Sequence, residues 1–289
     1  MQRACDTAAT DIAHHRLVAT RTDVEHLTTG WEPNAPIEDT LLRRYVCCWA
    51  RLCEAFATAA GGRATQTPAF AAADTRRPSG WYNTATLLQP PGADTFEATL
   101  HDIEAFFAGG SGEALLWSVW PTPDLHGRGW RLEGHPPILV RAPADVVAPP
   151  AAPDIWLTEV VDAAELAAWE RVAIDGFPLP ELAEAAPGSL ADPRILDDAR
   201  LRLTVGWDHA QAVSVGAQFA DCGINCFALG VTLPEARRRG HWRAHAIDRL
   251  TRHPELWTVG HFSDDSRPPA EALGFVAILR TTLWTRARP

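Results

Sequence analysis

Apolar side chains first fall into helical spacing at Ile37, Leu41, Tyr45, Trp49, Leu52 and Phe56, which share one face of a helix that Gly61 ends. The segment WYNTATLLQ then reads as a strand. Asp94 and Glu97 predict a capping box for a helix over 95–108, closed by Gly109 and Gly110. ALLWSVW, WRLEG and PPILVR predict further strands, the first apolar throughout, as expected for burial on both faces. In the second half IWLTEVV predicts a strand, and Asp162 with Glu165 caps a helix that turns Leu166, Trp169 and Val172 inward. The prolines of GFPLPEL break that helix, and a short one is expected near Ser189. LRLTVGW, AVSVGAQFA and INCFALGVTL predict three successive strands, the last running into the helix PEARRRGHWRAHAIDRLTRH. LWTVGHFS is a strand, SRPPAEALGF a short helix ended by Gly274, and VAILRTTLW one terminal strand. No short period repeats, which excludes solenoids and propellers.

Ala142–Pro153, APADVVAPPAAP, can carry neither helix nor central strand, because its prolines lack donors and fix φ. It predicts a linker between two domains, 1–150 and 154–289. Across 289 residues, 46% hydrophobic and 21% charged side chains exclude a disordered or collagenous chain. The 26 basic against 36 acidic residues leave a net charge of −10, so nucleic acid is not an expected partner. No apolar run reaches the roughly 18 residues that cross a bilayer, and MQRACDTAATDIAHH has no signal-peptide core. A cytoplasmic protein without membrane attachment is expected. All 26 basic residues are arginine, which excludes a Walker lysine, a Schiff-base lysine or a kinase-type lysine. The six cysteines lack paired CxxC spacing, and GGSGE lacks the order of a nucleophile elbow. No metal is expected.

The chemistry concentrates where a strand meets a helix, from Leu229 to Ala244. A helix N-terminus presents unpaired amides and the positive end of its dipole, which together attract phosphate. Arg237, Arg238 and Arg239 stand there just before Gly240, and each opposes the dipole by about 0.3–1 kcal/mol unless an anion is present. His241 and His245 have the spacing of zinc ligands, yet HWRAH carries no glutamate after the first histidine, so a surface pair is expected.

VTLPEARRRGHWRAHAIDRL resembles motif A of the GNAT superfamily of N-acetyltransferases, Arg/Gln-x-x-Gly-x-Gly/Ala between strand and helix. ALGFVAILRTTLW resembles its motif B region, and the element order from Ile155 to Trp284 agrees. The resemblance implies an α/β (α+β) fold with a mixed, mostly antiparallel sheet flanked by helices. A second, smaller α/β domain precedes it, whose element order resembles a degenerate copy of the same fold. It further implies acetyl-CoA as acyl donor and a small-molecule or peptide amine as acceptor. Leu229, Gly230 and Val231 would pair with the pantetheine arm. Amides of Arg237, Arg238, Arg239, Gly240, His241, Trp242, Arg243 and Ala244 would hold the pyrophosphate.

Asp221, His261 and Ser263 are the candidate catalytic residues, with Asp264 and Asp265 further carboxylates near the same cleft. Phe177 and Leu179 are expected in an acceptor wall. Two positions depart from the family pattern: Ala270 stands where a tyrosine often protonates the thiolate, and Trp242 where the motif has Gly or Ala. They keep a second reading open, a catalytically silent module of the same fold that binds an acyl-CoA or a protein partner.

Overall fold

The computed structural model of the chain describes residues 30–146, 155–177 and 179–288. Most of the proline-rich stretch, including 147–154, lies outside the described residues. Helix α1, Leu41–Ala59, is capped by the Thr40 hydroxyl, which accepts from the Arg43 amide, and the hairpin β1 (Arg63–Gln66) and β2 (Phe70–Asp74) follows. Sequence reading missed this hairpin, because FAAAD is buried on every residue and shows no alternation. WYNTATLLQ divides into a 3-10 turn, Gly80–Tyr82, and strand β3, Thr84–Leu87. Helix α2, Phe96–Phe107, is not opened by a capping box: no side chain caps Thr95, and Glu97 bonds Arg128 instead. Strands β4 (Glu113–Ser118), β5 (Arg131–Gly134) and β6 (Pro137–Arg141) complete this half.

After β7, Ile155–Glu159, comes α3, Ala163–Gly176, capped as the sequence predicts by Asp162 on the Ala164 and Glu165 amides. Short 3-10 turns at Pro180–Leu182 and Pro193–Asp197 lead to β8 (Leu201–Asp208), β9 (Gln211–Asp221) and β10 (Ile224–Thr232). Helix α4, His241–Arg252, then β11 (Trp257–His261) and α5 (Arg267–Glu271) follow. The terminal VAILRTTLW is two strands rather than one, β12 (Val276–Arg280) and β13 (Thr282–Ala287), separated at buried Thr281.

Those two strands enter different sheets. One sheet runs β1-β2-β3-β4-β13-β5 and the other β12-β6-β11-β10-β9-β8-β7. Each half therefore lends a strand to the other: β13 lies between β4 and β5, and β6 between β11 and β12. All pairs are antiparallel except β3–β4 and β10–β11, one in each sheet. Helix α1 shares the largest core with α3 and the second sheet, its Tyr45, Leu52 and Phe56 buried alongside Trp169, Phe219 and Ile224. Helix α2 covers the first sheet through Leu100, Ile103 and Phe107. A smaller core joins α4 and α5 to β6 and β10 around Phe227, Phe262 and Phe275. Among the described residues no helix is long and apolar enough to cross a membrane.

Candidate functional site

Strands β10 and β11 pair over only four positions, from Ile224 with Trp257 to Phe227 with Gly260. Beyond them β10 continues, and its register with β9 shifts between Ala228 and Val231. Leu229 sits at this bulge with φ of 35°, a left-handed backbone that costs a non-glycine residue about 1–3 kcal/mol. The shift takes Leu229 and Gly230 out of the β9–β10 ladder, and the pairing of β10 with β11 has already ended at Phe227 with Gly260.

The chain then turns into α4 through Leu233–Gly240. Gly240 is the N-cap, at φ of 95°, and no side chain caps the helix; its first intrahelical bond is from the Ala244 amide to the Gly240 carbonyl. The three arginines do not form one free cluster. Arg237 bonds the Thr232 carbonyl, Arg239 pairs with Asp208 at 2.7 Å, and Arg238 is exposed. Trp242 packs against Phe262 in the small core, ring centroids 6.5 Å apart, leaving its backbone at the helix mouth.

His241 and His245 are buried, which corrects the expected surface pair. With Arg249 they occupy positions i, i+4 and i+8 of α4, over strands whose glycines and hydroxyls make room for polar side chains. A Cβ at Gly206 would meet His245 Nε2 at 2.8 Å. Thr204 and Ser214 bond the two nitrogens of His245, and burial, then Arg249, lowers its pKa to about 3. His241 Nε2 is buried without a partner.

A cavity of about 390 Å³ is lined by residues of both halves. Strand β4 faces it with Glu113, Leu115 and Trp117 at every second residue, while Ala114 and Leu116 point into the core below α2. Leu283 and Thr285 of β13 and Arg131 and Glu133 of β5 extend the wall. Arg131 pairs with Glu133 at 2.6 Å and lies 3.6 Å from Glu113. Leu179, Pro180 and Glu181 form the opposite side, with Phe177 behind them against Trp81, ring centroids 4.4 Å apart.

His261, at the end of β11, lines the inner end beside Trp49, its ring centroid 4.6 Å from the indole. Tyr45 from α1 lies 2.8 Å from His261 Nδ1. Burial raises the phenol well above its usual range and lowers the imidazole to about 4, so at neutral pH the phenol is protonated and the ring uncharged. With the phenol donating to Nδ1, the ring proton sits on Nε2.

The other two catalytic candidates lie apart from this cavity. Asp221 accepts from Arg51, Arg200 and the Cys222 amide; burial pushes its carboxyl up, but these partners outweigh that and hold it below the usual range. Ser263 accepts from the Ser266 amide in the exposed turn before α5, where Asp264 is paired with Arg280. Ala270 is fully buried in the small core.

The same overall fold occurs in solved proteins. The chain superposes on a GCN5-related N-acetyltransferase from Kribbella flavida with TM-score 0.56 and 17% identity, covering 82% of this chain and 95% of that one. A protein assigned to the GNAT family from Novosphingobium aromaticivorans matches with TM-score 0.50 and 16% identity, over 82% and 99% of the two chains. A functionally unknown conserved protein from Staphylococcus epidermidis gives 0.52 and 10%, over 78% and 93%. The chain has the GNAT fold. No family model matches it, and no curated protein does.

Within the GNAT fold the bulge and the uncapped helix fall on the residues that motif A picks out, Leu229–Val231 and Arg237–Ala244. The cavity was not legible in the same way. Tyr45 and Trp49 read as core residues of α1, and the sequence assigned Glu113 and Glu133 no role. The available signal was the alternation Glu113, Leu115, Trp117, one apolar face broken by a carboxylate. Among the described residues, no group of three or more His, Cys, Asp or Glu could hold a metal.

Proposed function

We propose that this protein is an acyl-CoA-dependent N-acyltransferase that moves an acetyl group from acetyl-CoA to an amine. In this reading residues 154–289 hold the donor, and residues 1–150 wall the acceptor side. The observation that carries it is the bulge at Leu229–Gly230, past the end of the β10–β11 ladder, on the strand that runs into the uncapped amides of α4. The residues fit a pantetheine diphosphate: the β10 edge offers unpaired peptide groups, the helix mouth is positive, Arg238 is exposed, and His241 Nε2 is an orphaned buried atom. Bound there, acetyl-CoA would supply a thioester carbonyl for attack by a neutral amine.

The chain's own part is to bind and orient. His261 is the proposed catalytic residue, its Nε2–H donating to the carbonyl oxygen as negative charge develops. A neutral imidazole donates without contributing a cation that would repel an ammonium substrate. Tyr45 positions this ring by holding Nδ1. The donor thus lies on one side of His261 and the acceptor cavity on the other.

The test is calorimetry with CoA and acetyl-CoA, followed by thiol release over a panel of amines. Binding with turnover supports the reading. Binding without turnover would favour the silent module, and no binding would remove the donor assignment altogether.

A further inference from the structure

Arg249, in the third turn of α4, is 3% exposed, yet among the described residues no carboxylate pairs with its guanidinium; the adjacent Asp248 pairs with Arg202 instead. Burial lowers its pKa to about 10, so it is cationic at neutral pH. A buried cation without a counter-ion is costly, and an apolar side chain of similar volume often serves stability better. What the guanidinium touches is the bulge of β10. Between the pairs Ala228–Ala217 and Val231–Val215, Leu229 and Gly230 stand opposite the single residue Gly216. Nη1 donates to both carbonyls of the last regular pair, Ala217 at 3.1 Å and Ala228 at 3.3 Å, and so ties the strands where their register shifts. Glycines leave the room for it: a Cβ at Gly216 would lie 3.4 Å from Cζ, and one at Gly230 3.4 Å from Nη2. The Phe227 ring stands 4.0 Å from Cζ. The backbone of the same residue ties α4 to both strands, its carbonyl accepting from Gln218 of β9 and Asn225 of β10 at 3.1 Å each.

We infer that Arg249 is a positioning residue of the donor site: its guanidinium, wedged beneath the bulge, holds Leu229 and Gly230 in the conformation that receives the pantetheine arm. Leu229 keeps its positive φ because the carbonyl before it, on Ala228, is tied by one donor to that of Ala217. The fork matters as much as the charge. Nε donates to the His245 carbonyl, one turn back along α4, while Nη1 reaches the sheet, and a lysine ammonium has no second nitrogen to hold it in that plane. The link to the donor rests on the acyl-transfer reading; the brace itself does not.

Crystallography and calorimetry on the full chain test the two parts separately. In Arg249→Met without donor, Leu229 is expected to leave positive φ for the ordinary negative region; Leu229 unmoved from its φ of 35° would overturn the brace. Calorimetry should then show CoA weakened about tenfold or more, with ADP, which has the diphosphate but no pantetheine arm, bound as tightly as by the unaltered protein. A loss shared equally by CoA and ADP would make Arg249 merely structural. CoA affinity equal to that of the unaltered protein would overturn its role at the donor site. Arg249→Lys, which keeps the charge and is the milder change, decides the matter if Arg249→Met fails to fold. It should move Leu229 and weaken CoA in the same sense, and a structure and affinity matching the unaltered protein would overturn the proposal. If the unaltered protein itself binds no CoA, the transferase reading falls, and Leu229 in the two variants still decides the brace.

Discussion

Two of the strand-to-helix connections of this molecule, Leu88–Thr95 between β3 and α2 and Leu233–Gly240 between β10 and α4, have the same length and opposite chemistry. Each follows the strand that begins the parallel pair of its sheet and leads to a helix that no side chain caps. The first contains Pro90 and Pro91, which have no amide hydrogen to offer, and Asp94, which would repel a phosphate. The second contains one proline, three arginines and a glycine at positive φ. Strand β3 stops after four residues, whereas β10 runs nine and bulges at Leu229. The architecture is repeated and the anion site is not. A repeated fold therefore says where a site can lie, and local charge and donors say whether it is there.

The strand exchange makes the sharpest way to break this comparison. Although Trp284 belongs to the second half of the sequence, Trp284→Ala should destabilise the first sheet by about 3–5 kcal/mol, since the ring is buried in the core under α2. Hydrogen exchange should then report loosening of β3 and β4 before β8 and β9. The reciprocal change, Leu139→Ala, should cost about 2–5 kcal/mol and loosen α4 and α5 instead. If each substitution loosens only its own half, the exchanged strands are not what joins the sheets.

A charge placed at each connection tests the difference in chemistry. Gly240→Asp should weaken CoA by about a hundredfold or more by setting a carboxylate beside the phosphates, while Ala93→Asp, in the first connection, should leave it unchanged. Gly240→Ala controls for the strain of a side chain at φ of 95°. Equal affinities across the three variants, measured by calorimetry, would place the donor elsewhere.

Acid should also act unequally on the halves, because the buried histidines with depressed pKa values all lie in the second. His245 falls to about 3 and His261 to about 4, against 6.5 for a free imidazole. Below pH 6.5 the unfolded chain takes up protons that the folded chain refuses. Stability should therefore be full above pH 6.5 and decline as pH falls toward about 3–4, at a slope of about 1.4 kcal/mol per unit for each such group. Denaturant midpoints measured from pH 8 to pH 4 check this, and His245→Gln should flatten the slope. The smallest effect concerns Tyr45→Phe, which leaves His261 Nδ1 without its donor and should cost about 1–3 kcal/mol in stability. It also frees the ring to change tautomer, so the pH profile of turnover should shift; a loss of stability with an unmoved profile would make Tyr45 merely structural.

Much of the second half was legible in the sequence, because its signals are local. The Asp162 cap and the alternation of β8 and β9 each act within a few residues, whereas α4 begins at His241 rather than at Pro234 as the run PEARRRGHW suggested. The inward turn of His241 and His245 was not, since it depends on glycines and hydroxyls of strands that the helix meets only after folding. Nor was the break within VAILRTTLW, where the burial of Thr281 and the pull of two sheets act against an unbroken apolar run.

The chain by itself determined most of the element order of the second half, the GNAT-like junction and its three arginines, because propensity and capping are set by neighbours in sequence. Only the tertiary structure decided that β6 and β13 change sheets and that Tyr45 meets His261 across 216 residues of chain. It also brought three carboxylates and two indoles to one cavity. Those contacts join residues far apart in sequence, and no local pattern encodes a partner that only long-range burial selects.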